Sequence, residues 1–165
     1  MDMARREGPF MRLERPRRVR RRTNIENTRR AELSGIRVLL VDAEADTREW
    51  LTGVLRRCGA GVTAVASAGE ARAALARFRP DVLVTDVDLP GEDGYALVRT
   101  IRAVEREVGV NVPAVALTAS SHADDRERAL RAGFQVHLPK VLAPSELAQV
   151  VAQLTSTAEG VRGDG

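Results

Sequence analysis

Apolar side chains recur along this chain in two alternating rhythms. Short, mostly apolar runs occur at Ile36–Val41, Val62–Ala66, Val82–Thr85, Ala114–Leu117 and Val136–Leu138, interrupted only at Arg37, Thr63 and His137. Val-, Leu- and Ala-rich runs of this length predict strands of a parallel sheet covered on both faces. Between them the spacing turns helical. Leu51, Val54, Leu55 and Cys58 fall at i, i+3, i+4 and i+7 and stop at Gly59, which predicts a first helix. Ser67 and Glu70 have capping-box spacing ahead of Ala71, Ala74, Leu75 and Phe78, and Pro80 closes that unit. Asp93-Gly94 opens a third helix marked by Leu97, Ile101, Val104 and Val108. A charged fourth helix is expected over Ala123–Ala132, led in by Ser120-Ser121 and closed by Gly133. Pro144 starts the last, with Leu147, Val150, Val151 and Leu154 on one face.

Five strands in strict alternation with five helices define an α/β chain of the (βα)5 type. Right-handed crossovers then give a doubly wound parallel sheet with helices on both faces. In such a sheet the carboxyl ends of all strands lie on one edge, the edge where α/β folds bind ligands. Asp42, Asp86, Thr118 and Lys140 each stand where an apolar run stops, so all four belong to that edge. The stretch Asp81–Gly94 holds the central member, Asp86, followed at once by a Pro-Gly turn. Asp86 as a mere turn cap is the bland alternative. Two carboxylates at close range repel and need a cation, and an oxygen-only site suits Mg²⁺. The ammonium can offset charge on a transferred group, and the hydroxyl can hydrogen-bond to it.

Composition sharpens this picture at the ends of the chain. A length of 165 residues allows one ordinary domain plus extra chain. The single cysteine, Cys58, excludes an intrachain disulfide and on an apolar helix face reads as core. No apolar stretch approaches the roughly 18 residues of a membrane helix, and no apolar segment follows the charged start, so a soluble, cytoplasmic protein is expected. The net charge of +3 is unevenly spread: residues 1–35 hold 11 Arg against 5 acidic residues, and the remainder holds 15 basic against 18 acidic. Residues 1–34 therefore read as a basic, disordered extension, whether the chain starts at Met1, Met3 or Met11. The sharper reading of Arg15–Arg22 is an arm for nucleic-acid phosphates or an acidic partner. Phe10 is its only aromatic, so it offers no base-stacking platform. The domain proper is expected over 35–155, with a flexible tail over 156–165. Lys140 is the one lysine beside 25 arginines.

Four segments together resemble a known family: Leu-Leu-Val-Asp at 39–42, Asp-Val-Asp-Leu-Pro-Gly-Glu-Asp-Gly at 86–94, Leu-Thr-Ala at 117–119 and Leu-Pro-Lys at 138–140. From about Ile36 to Leu154 the chain resembles a response-regulator receiver domain of two-component signalling, in flavour nearest the receivers of hybrid sensor kinases. The resemblance implies a flavodoxin-like sheet of strand order 2-1-3-4-5. It implies a signalling phosphoacceptor and not an enzyme, one that at most assists its own phosphorylation and dephosphorylation. Asp86 would accept a phosphoryl group from a sensor histidine kinase or phosphotransfer protein, and a downstream protein would read the result. Mg²⁺ would be held by Asp42, by Asp86 and by the backbone carbonyl of Asp88. Thr118 and Lys140 would contact the phosphoryl oxygens, and His137 takes the position of the aromatic switch residue.

Two positions depart from the family pattern. Ala43 stands where a second acidic residue usually ligates the metal, with Glu44 one position further on. Val141 follows the lysine where a cis-proline is usual; a cis bond there would cost about 3–4 kcal/mol, so a trans bond is expected. Asp88 adds charge beside the site. Elsewhere, Gly59-Ala60-Gly61 lacks a dinucleotide fingerprint, and His122 and His137 have no spacing partner for a metal site. Three readings follow, in order: a phosphoacceptor switch without an output domain, a phosphorylation-independent binding module, and a nucleic-acid-associated protein using its Arg-rich arm.

Overall fold

The computed structural model describes residues 32–119, 123–140 and 143–163. The readings made of the Arg-rich segment, of Ser120, Ser121 and His122, and of Val141 lie outside the described residues. Five strands, β1 (Arg37–Val41), β2 (Gly61–Val65), β3 (Val82–Asp86), β4 (Ala114–Thr118) and β5 (Val136–Pro139), alternate with five helices. The helices are α1 (Ala45–Arg57), α2 (Ala68–Phe78), α3 (Gly94–Val108), α4 (Ala123–Ala132) and α5 (Pro144–Gly163). The sheet is wholly parallel in the order β2-β1-β3-β4-β5. This is the expected flavodoxin-like topology, with its switch point between β1 and β3.

Successive side chains of a strand point to opposite faces, so a continuous apolar run feeds two cores. Leu39 and Val41 of β1 join Leu83 and Ala116 beneath α2, α3 and α4. Val38 and Leu40 join Val84, Val115 and Leu117 on the other face, against Leu51 and Leu55 of α1 and Leu147 and Val151 of α5. β3 and β4, central and fully buried, carry no exposed residue at all. That is why their apolar runs are unbroken.

Helix ends follow local chemistry. The Ser67 hydroxyl accepts from the Glu70 N–H at 3.2 Å, while the Glu70 carboxylate accepts from the Ala66 N–H, one residue short of the reciprocal capping box. Asp93 caps α3 by accepting from the Ala96 N–H at 2.8 Å. Gly94 is obligatory for a different reason: a Cβ there would lie 2.5 Å from the carbonyl oxygen of Asp86. The start of α3 is thereby packed directly against the backbone of the strand end that carries the key carboxylate.

Three expectations are corrected. Val104 and Val108 mark α3 in sequence but are 54% and 64% exposed, and the inward seam runs instead through Leu97, Val98, Ile101 and Glu105. Glu105 holds its buried position because Arg102 pairs with it at 2.6 Å and the Val112 N–H donates to it at 3.0 Å. Arg102 also donates to the carbonyls of Gly133 and Val112, so one ion pair ties α3 to the loops before β4 and β5. Second, the domain begins before residue 35. Leu33 is fully buried, and its N–H donates to the Cys58 carbonyl at 2.9 Å. One apolar residue beside a charged stretch sets up no period, so hydrophobic patterning passes over it. Third, α5 runs to Gly163, through most of the stretch read as a flexible tail. No proline follows Leu154, and the turn pair Asp164-Gly165 comes only after Gly163.

Truncating a fully buried leucine removes its transfer energy and leaves a cavity. Leu33→Ala is expected to lower the urea-unfolding stability by about 3 kcal/mol. A change below about 0.5 kcal/mol would return Leu33 to the extension.

Candidate functional site

The four residues placed on one edge by the alternation do converge there. Asp42 follows β1 and is fully buried; Asp86 ends β3 at 3% exposure, and Thr118 ends β4 at 2%. Lys140 follows β5, and its N–H donates to the Thr118 carbonyl at 2.7 Å, which fixes the lysine backbone beside β4. The Lys140 ammonium lies 2.8 Å from Oδ2 of Asp86 and 3.2 Å from Oδ2 of Asp42. Residues 98 positions apart thus share one ion-paired cluster.

Each carboxylate is aimed by backbone donors. Oδ1 of Asp86 accepts from the Asp88 N–H at 2.9 Å, an Asx-type turn that starts the Val87–Pro90 descent. Oδ1 of Asp42 accepts from the Glu44 N–H at 2.9 Å in the same way. Arg48, one turn into α1, donates to the Asp42 carbonyl at 2.8 Å. Oδ2 of Asp42 differs: it is buried, faces the ammonium, and has no hydrogen-bond donor aligned on it among the described residues. Burial pushes the Asp42 carboxyl above its ordinary 3.8, against the lowering effects of the Glu44 N–H and of Lys140. For Lys140, burial by itself lowers the ammonium. The hydrogen bond and charge of Asp86, then those of Asp42, outweigh burial and hold it above 10.5.

A buried, unsatisfied carboxylate oxygen beside a second carboxylate calls for a cation with hard-oxygen preference. The donor set of Asp42, Asp86 and a neighbouring backbone carbonyl such as that of Asp88 fits Mg²⁺, which keeps several waters and asks little of the protein. The set is lean. Among the described residues no three His, Cys, Asp or Glu side chains converge on one metal-binding point. Ala43 is exposed and supplies nothing. Glu44, beside it, turns its carboxylate toward the site: Oε2 lies 3.7 Å from the Lys140 ammonium and accepts from the Thr47 hydroxyl at 3.3 Å. Sequence reading left Glu44 and Arg48 without a definite role, because a loop residue's direction is set by the turn and not by spacing.

His137 lies on β5 opposite Ala116, at the edge of the sheet and half-buried. Its Nε2 is buried with no hydrogen-bond partner among the described residues. Burial lowers the imidazole below 6.5; Asp125 of α4 acts to raise it and Arg126 to lower it. His122 lies outside the described residues.

Residues 38–152 match the response regulator receiver domain. The chain belongs to that family. An uncharacterized 14.6 kDa protein from the sodA1 3' region of Leptolyngbya boryana is 40% identical over 73% of this chain and 91% of its own length. The transcriptional regulatory protein GltR of Pseudomonas aeruginosa is 36% identical over 76% of this chain, which spans 51% of GltR. The hybrid signal transduction histidine kinase D of Dictyostelium discoideum is 32% identical over 78% of this chain, but only 9% of that protein is covered. Among solved structures, the Mg²⁺-complexed receiver domain of the Arabidopsis thaliana histidine kinase CKI1 superposes with a TM-score of 0.69 at 28% identity, covering 75% of this chain and 94% of that one. A response regulator structure from Chloroflexus aurantiacus gives 0.68 at 32% identity over 73% and 98%. Among the described residues no helix is long and apolar enough to cross a membrane.

Because the folded pKa of His137 lies below its unfolded value, the unfolded chain takes up this proton first as pH falls. Its contribution to stability is therefore present above about pH 6.5 and is lost as pH falls through the folded value. The melting temperature of His137→Gln is expected to fall less between pH 7 and pH 5 than that of the parent. An equal fall in the two proteins would contradict the assignment.

Proposed function

We propose that this chain is a phosphoacceptor receiver, in which Asp86 takes a phosphoryl group from a histidine-phosphorylated kinase or phosphotransfer protein. The observation that carries the reading is the Lys140 ammonium held between Asp86 and buried Asp42 at the carboxyl edge of the sheet. An aspartate oxygen approaches a phosphoryl group only when the surrounding negative oxygens are screened. Lys140 supplies one screen from inside the protein. Mg²⁺ bound by Asp42, Asp86 and the Asp88 carbonyl would supply the other, neutralising the equatorial oxygens as charge redistributes. Oδ2 of Asp86, released from its contact with Lys140, forms the new P–O bond as the P–N bond to the donor histidine breaks and its electron pair returns to the imidazole nitrogen, while Oδ1 stays oriented by the Asp88 N–H. Lys140 then pairs with a phosphoryl oxygen, and the Thr118 hydroxyl donates to another.

Those two contacts bias the packing of the edge formed by β4, β5 and α4. Moving a two-state equilibrium from 1:99 to 99:1 needs about 5.5 kcal/mol of differential binding. A hydrogen bond to a charged group contributes about 1.5–3 kcal/mol, so one contact falls short and two come close. His137, half-buried beside this edge, is the side chain that would register the change for a downstream protein.

A second reading is a phosphorylation-independent binding module. It is favoured by one observation, the absence of a third converging carboxylate among the described residues. Glu44 bears on the choice. Its side chain is 71% exposed and its carboxylate meets only the Thr47 hydroxyl and Lys140 among the described residues, so a rotamer change would carry it, already 3.7 Å from Lys140, toward the metal.

Incubation with a small phosphodonor and Mg²⁺ should add the mass of one phosphoryl group to the protein and none to Asp86→Asn. No gain in the parent, with gain in Ala43→Asp, would give the second reading precedence. Glu44→Gln is expected to weaken Mg²⁺ binding, measured by calorimetry, by about three- to tenfold, as removal of one nearby carboxylate charge would. Unchanged affinity would leave Glu44 outside the metal site.

A further inference from the structure

One side of α3 carries a stripe of arginines. Arg99, Arg102 and Arg106 fall at i, i+3 and i+7, so they share one helical face. Like charges at this spacing repel, and the protein relieves only the middle one. Arg102 pairs with Glu105 at 2.6 Å and donates to the carbonyls of Gly133 and Val112. Arg99 and Arg106 are exposed, with no hydrogen bond or ion pair among the described residues. The helix macrodipole accounts for Arg106, which stands in the last turn. It gives nothing to Arg99, which stands in the second turn, nearer the positive end of the helix.

A fourth guanidinium comes from α4. Arg131, in its last turn, lines the same cavity between the two helices as the α3 stripe. This cavity measures about 650 Å³ and brings Arg99, Arg102, Arg106 and Arg131 together against one carboxylate, that of Glu105. Four cations against one anion leave an excess of three positive charges. The size falls within the roughly 300–1,000 Å³ of small-molecule sites. Arg131 meets Glu127 at 3.8 Å, but both side chains are well exposed and the pair offsets little.

The cavity has a fixed wall and free arms. Arg102 is held in addition by the side-chain oxygens of Asn111 at 3.2 Å and Gln135 at 3.1 Å. Gly133 lets the end of α4 close on it, since a Cβ there would lie 2.8 Å from Cγ of Arg102. Asn111 accepts through its oxygen, which keeps its amide nitrogen as a donor at the cavity wall. Toward the first turn of α4 the lining changes character. An adjoining cavity of about 430 Å³ shares Arg99 and Arg131 but adds Asp124 and Glu127 beside Arg128. An anion is therefore favoured at the Arg106 end.

We infer that this trough binds a diphosphate group, free or carried on a nucleoside, through Arg99, Arg106, Arg131 and the Asn111 amide. Guanidinium matches phosphate oxygens in pairs, and here three such forks stand without a firm partner. A single phosphate, with fewer charges and oxygens, would leave at least one of them unengaged. Two linked phosphates supply enough for all three. The last turns of α3 and α4 lie away from the strand ends that carry Asp86, so this site works independently of phosphorylation.

Calorimetric titration of the full chain with pyrophosphate, and separately with adenosine diphosphate, in metal-free buffer tests the inference. Both should bind, and orthophosphate and adenosine monophosphate should bind at least about tenfold more weakly. Arg99→Gln and Arg106→Gln should each weaken pyrophosphate binding about five- to tenfold, and Arg99→Gln/Arg106→Gln/Arg131→Gln about a hundredfold. Arg57→Gln, exposed in the last turn of α1 on the other face of the sheet, should bind as the parent does. Pyrophosphate should raise the melting temperature of the parent and not of the triple variant, whose ligand-free midpoint should match the parent's. Asp86→Asn should bind pyrophosphate normally, so this inference and the phosphoacceptor reading fail separately. A triple variant that binds as tightly as the parent would place the ligand elsewhere and overturn the inference. So would an equal loss in Arg57→Gln, the mark of diffuse attraction, or citrate binding as tightly as pyrophosphate. Absence of pyrophosphate binding to the parent would end it outright.

Discussion

A single ammonium group shared by two buried carboxylates organises the functional end of this protein. Asp42 and Asp86 are both almost wholly removed from water, and like charges so placed cannot both ionise without a cation between them. Lys140 meets that need only in part. It satisfies Asp86 at 2.8 Å and leaves Oδ2 of Asp42 facing it without an aligned hydrogen bond. The carboxyl edge of the sheet therefore gathers two buried carboxylates on one ammonium. Everything around it serves position: the glycine at 94 that lets α3 close on the Asp86 carbonyl, the Asx-type turns, and the Lys140 N–H anchored on Thr118.

The opposite edge is built differently. A polar network there, Arg102 with Glu105 of α3, binds the loops before β4 and β5, whose backbone groups would otherwise be buried unpaired. Of the other arginines there, Arg37 stacks on Phe78 and Arg56 donates to the Val62 carbonyl at 3.4 Å.

The strand ends are legible in the sequence because parallel topology converts order along the chain into place on an edge. Asp42, Asp86, Thr118 and Lys140 can be grouped from their positions at the ends of apolar runs. The continuous runs themselves are equally readable, since strands buried on both faces have no polar rhythm to confuse them. The helices are less transparent where a charged residue takes an inward position. Glu105 sits in the seam of α3, and Val104 and Val108 point outward, because a partnered ion pair overrides the apolar spacing.

What the chain determined by itself, then, was the (βα)5 order, the two cores and the identity of the four crest residues, all consequences of short-range periodicity joined to one topological rule. Tertiary structure alone decided direction and distance. That Glu44 turns toward Lys140, that Leu33 closes the lower core, and that Oδ2 of Asp42 is left without a donor depend on turns and side-chain torsions. These are settled by packing between segments far apart in sequence, and no local pattern encodes them.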